Sequence, residues 1–70
     1  MTKITKSSEK LGRKIQKQRK ELGYTQEELA ERINLSRTHM GHIEQGRKSP
    51  SIKVLEKIAK ALRTSPRSFF

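Results

Sequence analysis

Twenty consecutive residues, Gln26 to Gln45, constrain this chain more than any other part of it. In QEELAERINLSRTHMGHIEQ, with Gln26 counted as one, large apolar residues fall at places 4, 8, 10, 15 and 18: Leu29, Ile33, Leu35, Met40 and Ile43. Place 5 holds the small Ala30 and place 9 holds Asn34. This spacing predicts two short helices joined by a tight turn. Helices that cross steeply need little volume at their closest approach, which Ala30 supplies. The turn favours a residue that tolerates positive φ, usually Gly and here Asn. The apolar positions fasten both helices to a core and leave the outer side of the second one uncovered.

Helix signals recur on either side, and convincing strand alternation is absent. Ser8 is placed to N-cap a first helix, with Glu9 in its first turn, Leu11, Ile15 and Leu22 on one face, and Gly23 as the stop. Thr25 and Glu28 form a capping-box pattern for the second helix, and Ser36 caps the third, which ends at Gly46. Pro50 and Ser51 open a fourth helix with Leu55, Ile58, Ala59 and Leu62 inward. Ser65-Pro66 reads as a cap and first-turn proline for a fifth, with Phe69 and Phe70 closing the core. The expectation is a single all-α domain over residues 8–70, a compact four- to five-helix bundle, preceded by a disordered segment over residues 1–7.

Charge says what such a bundle meets. Seventeen Lys and Arg stand against seven Asp and Glu, a formal charge of +10 on 70 residues. Residues 1–25 carry net +6, residues 26–46 net −2, and residues 47–70 net +6. A domain this small cannot neutralise that excess internally, so a polyanionic partner is expected. The sequence contains no Cys, which excludes a disulfide scaffold, a thiolate nucleophile and a cysteine zinc site. That usage fits a reducing compartment, and the cytoplasm is the expected location. No apolar run is long enough for a membrane span or a signal-peptide core. Neither a nucleophile elbow nor a Gly-rich phosphate loop occurs, so no enzyme is expected.

The run LGYTQEELAERINLSRTHMGHIEQGRKSPSIKVLEKIAKAL resembles the phage-repressor and Cro-type, XRE-like helix-turn-helix family. The similarity covers roughly residues 9–66, and TQEELA, IEQG, the PS pair and LEKIAKAL match in order and spacing. The resemblance implies a lambda-repressor-like fold that binds double-stranded DNA, usually as a two-fold dimer on a palindromic operator. It implies that Arg37, Thr38 and His42 face base edges from the third helix. It implies that Gln26 meets a backbone phosphate, and that Arg47, Lys48 and Ser51 grip phosphate beside it. It further implies that Arg19 and Glu44 form a structural ion pair joining the first helix to the end of the third. Three features depart from the pattern. Gly41 sits where serine or a larger residue is common, Arg63 replaces the glycine that often ends the fourth helix, and the fifth helix is cut short at Phe70.

Other readings are weaker. The Lys- and Arg-rich first helix lacks Trp and Phe on its apolar face and needs that face for the core, which argues against a membrane surface. His39 and His42, three apart, lack a third ligand, so no metal and no cofactor are expected. Few aromatics argue against an RNA-stacking platform. The expected function is therefore sequence-specific duplex binding by a transcriptional regulator, a repressor in the commoner family outcome. Both basic flanks would hold the sugar-phosphate backbone, and the chain would pair on DNA as a weak homodimer. The alternative is an antitoxin that binds a toxin partner as well as its own operator.

Overall fold

The computed structural model describes the backbone of residues 6–70. Its helices are α1 (Lys6–Glu21), α2 (Gln26–Arg32), α3 (Arg37–Glu44) and α4 (Ile52–Ala61), followed by a 3-10 turn over Pro66–Phe69. No strand occurs among the described residues.

Local signals set the end of α1 and the starts of α2, α3 and α4. At the end of α1, Gly23 takes φ +79°, and the Tyr24 N–H donates to the Arg19 carbonyl at 3.0 Å. That left-handed closure suits glycine. The Thr25 hydroxyl accepts from the Glu28 N–H at 3.0 Å, and the Glu28 carboxylate accepts from the Thr25 N–H at 2.9 Å. The capping box thus satisfies two otherwise orphaned donors of α2. Asn34 turns the chain at φ 56°, and the Leu35 N–H closes on the Ala30 carbonyl at 2.8 Å. Ser36 caps α3 by accepting from His39 N–H at 3.0 Å, and Ser51 caps α4 by accepting from Val54 N–H at 3.2 Å.

The helices enclose one core. Ile15, Leu29, Met40, Ile43, Ile58 and Phe69 are its largest fully buried side chains, with Leu11, Tyr24, Leu35 and Val54 half-buried at its edge. Gly12 lets α1 lie directly against the last turn of α3. A Cβ there would stand 2.5 Å from the Ile43 carbonyl oxygen and 2.8 Å from the Glu44 carbonyl carbon.

Several expectations are corrected. Helix α1 starts at Lys6, so Ser8 lies within it and is no cap; its hydroxyl meets that of Ser49 at 2.9 Å. Of the segment expected to be disordered, residues 1–5 lie outside the described residues. Leu22 falls in the turn after α1 and is 43 % exposed, so it leaves the apolar stripe. Ser65 makes no side-chain cap bond and Pro66–Phe69 is a 3-10 turn, in which the Ser68 N–H donates to the Ser65 carbonyl at 3.0 Å and the Ser68 hydroxyl to the same carbonyl at 2.8 Å. Phe69 closes the core while Phe70 points out, 77 % exposed.

Candidate nucleic-acid interface

Helix α3 divides cleanly into two sides. Met40, Ile43 and Glu44 are buried and face the other helices. Arg37, Thr38 and Gln45 are exposed, and His39, Gly41 and His42 are half-buried. Helical spacing of three, four and seven residues gathers Thr38, His42 and Gln45 onto one outward stripe, with Arg37 at its N-terminal edge. Gln45, the cap of α3, is given no role by the sequence. Its signal is the seven-residue step from Thr38.

The loop after α3 is pinned to the end of this stripe. The His42 carbonyl accepts from Arg47 N–H at 2.9 Å and Lys48 N–H at 3.3 Å. Both side chains are exposed. Gly46 makes this possible at φ +79°, where a Cβ would meet the Glu9 backbone at 2.9 Å. Ser51 lies beyond the loop, exposed, with its hydroxyl oxygen engaged as the α4 cap.

Behind the stripe lies a buried polar network. The Arg19 Nε donates to Glu44 Oε2 at 2.7 Å and its Nη2 to Glu44 Oε1 at 3.0 Å, a two-bond fork between side chains that are 7 % and 1 % exposed. Arg19 Nη1 also donates to the Tyr24 carbonyl at 2.6 Å, and Gln26 Nε2 donates to Glu44 Oε1 at 3.0 Å. No buried side-chain nitrogen or oxygen is left without a partner among the described residues. Glu44 therefore ties α3 to α1 and to the first residue of α2. Gln26 and Arg37 share a shallow polar cleft with Arg19, Thr25 and Glu27.

Two further features escaped sequence reasoning. The Arg32 guanidinium sits 4.5 Å from the centre of the Tyr24 ring, a cation–π contact bracing the end of α2. The hydrogen bonds from the Thr25 backbone and hydroxyl, with Arg32 nearby, hold the Glu28 carboxyl below the usual carboxylate range. The described residues hold no group of three or more His, Cys, Asp or Glu that could hold a metal, and no helix long and apolar enough to cross a membrane.

Comparison with known proteins agrees with this geometry. A family model described as helix-turn-helix matches residues 15–69. An HTH-type transcriptional regulator of Methanothermobacter thermautotrophicus is 52 % identical over 48 residues, covering 69 % of this chain and 70 % of that protein. The immunity repressor of Bacillus phage phi105 is 46 % identical over 52 residues, 74 % of this chain but only 36 % of the repressor. The solved structure of the biofilm master regulator SinR in complex with DNA superposes with a TM-score of 0.80 at 35 % identity, over 84 % of this chain and 95 % of that one.

Proposed function

The chain belongs to the helix-turn-helix family and is a DNA-binding transcriptional regulator, and we propose that it represses by occupying a palindromic operator in the cytoplasm. The observation that carries this reading is the exposed stripe of α3, held rigid from behind and ended by two cations. A helix presented this way fits the major groove, where base edges are distinguishable. Arg37 offers a planar fork to guanine O6 and N7, and Thr38 and His42 reach the neighbouring base edges. Arg47 and Lys48 hold phosphate, joined by Ser51 and by the amide hydrogen of Gln26 that Glu44 does not take. The chemistry is binding alone.

A second copy would read the other half-site, with Ile52 and Phe70 meeting near the two-fold axis. These side chains are 78 % and 77 % exposed. They offer far less than the roughly 2,000 Å² of an obligate interface, so pairing forms on DNA. Selection of bound sites from a random duplex library tests the function. A two-fold consensus with half-sites about one helical turn apart is the expected result. Arg37→Ala should then cost about 1–3 kcal/mol on the selected site and relax one base position, while Lys48→Ala weakens all sequences alike. Recovery of no consensus, or equal losses on selected and scrambled duplex for both variants, refutes the reading.

A further inference from the structure

Between α1, the loop that precedes α4, the start of α4 and the C-terminal turn lies a groove. Leu11 and Leu55 form its apolar floor, and Ile52 and Phe70 stand almost fully exposed at its mouth. Lys10 and Lys14, one helical turn apart on α1, line one rim. Exposed apolar surface bordered by charge marks an interaction site in a small soluble domain. The neighbouring cations narrow the choice of occupant.

We infer that this groove binds an acidic amphipathic segment of a partner protein, with bulky apolar residues against Leu11, Leu55, Ile52 and Phe70 and carboxylates facing Lys10 and Lys14. A helix with apolar anchors three and four residues apart suits a groove of this kind. Charge decides against a second copy of this chain in the absence of DNA. That copy brings another formal +10 and its own Lys10 and Lys14 to the same rim. Like charges juxtaposed at an interface oppose association, whereas an acidic segment is steered toward it. On an operator the phosphates neutralise much of the repulsion, so the groove becomes open to self-pairing. This part of the inference rests on the operator reading above. The acidic partner and the second copy then compete for one surface, which makes partner abundance a control on operator occupancy.

The test uses the full chain without DNA and three synthetic peptides of equal length. The first is amphipathic with Leu and Phe on one face and Glu on the other; the second is its scramble of identical charge; the third replaces Glu by Lys. Fluorescence anisotropy should show the first binding at least tenfold more tightly than either control. Ile52→Ser and Phe70→Ser, both at exposed positions, should each weaken that binding several-fold. Lys10→Glu with Lys14→Glu should abolish preference for the acidic peptide and confer binding of the basic one. Equal binding of the scrambled peptide, or binding insensitive to these substitutions, overturns the proposal. So does sedimentation showing a stable dimer of the free chain that Ile52→Ser dissociates, because the groove would then belong to a second copy. None of these measurements involves DNA, so their failure is separate from failure of the operator reading.

Discussion

Replacing Gly12 by alanine probes the close approach of α1 to the end of α3. The new Cβ would stand 2.5 Å from the Ile43 carbonyl oxygen and 2.8 Å from the Glu44 carbonyl carbon, and would also press on the Glu44 oxygen. Ordinary carbon contacts lie at about 3.5–4.0 Å, so α1 must retreat from α3 by roughly 1 Å. Overpacking of this kind costs about 1–3 kcal/mol. Removing a glycine from a helix interior returns about 0.5–1 kcal/mol. The retreat also stretches the Arg19–Glu44 fork, whose bonds are 2.7 and 3.0 Å. The expected net loss is therefore about 2 kcal/mol, a fall in Tm of roughly 8–16 °C for a domain this small. Urea unfolding followed by far-ultraviolet circular dichroism measures it. Gly41→Ala is the control: its Cβ would meet only Gln26 Oε1 at 3.7 Å, an ordinary contact, so it should stabilise by up to about 1 kcal/mol. A Gly12→Ala midpoint at or above wild type refutes the close packing of α1 on α3.

Three other outcomes follow from the same structure. Arg19→Ala or Glu44→Ala should each cost about 3–5 kcal/mol, because the survivor is a buried unpaired charge, whereas Glu9→Ala, which removes the exposed 2.9 Å pair with Arg13, should cost under about 0.5 kcal/mol. A double-mutant cycle in urea reads the Arg19–Glu44 coupling, and a value near zero contradicts the fork. Because the folded-state carboxyl of Glu28 is held below its unfolded value, its contribution is full above the ordinary carboxylate range and is lost as pH falls through the folded value. Melts of wild type and Glu28→Gln should therefore converge on acidification, and a gap that widens instead would reverse the assignment. Arg63 adopts φ 57° where glycine is unstrained, so Arg63→Gly should raise stability by about 1 kcal/mol; a lower melting temperature would mean that the Arg63 side chain holds the end of α4.

The elements legible in the sequence are those whose signals are local. Thr25, Ser36 and Ser51 cap their helices because a hydroxyl needs only the N–H three residues on, and Asn34 turns because its own backbone tolerates positive φ. Long-range features were less legible. Nothing near Gly12 in sequence announces that it meets residues 43 and 44, and helix propensity alone would favour alanine there. Leu22 has the correct spacing for the core and still lies outside, since the chain turns before it can return. Phe69 and Phe70 are chemically identical neighbours, and only the geometry of the final 3-10 turn sends one inward and the other out. On α3 the motif match supplied Arg37, Thr38 and His42, whereas Gln45 joined them only once its exposure beside that stripe was seen.

The setting of α3 is imposed rather than intrinsic. Eight residues with a glycine in the middle are too few to hold a helix in isolation. Met40 and Ile43 supply burial, but apolar contact alone permits small rotations about the helix axis that would re-aim Thr38, His42 and Gln45. Glu44 removes that freedom, because its two oxygens accept from Arg19 on α1 and Gln26 on α2 in fixed directions. The same carboxylate that looks costly to bury thus serves both as the join between three helices and as the index mark for the outward stripe. A pair of apolar residues could fill the volume without fixing the angle. Directional bonding, rather than net stability, is what α3 gains from an ion pair at its back.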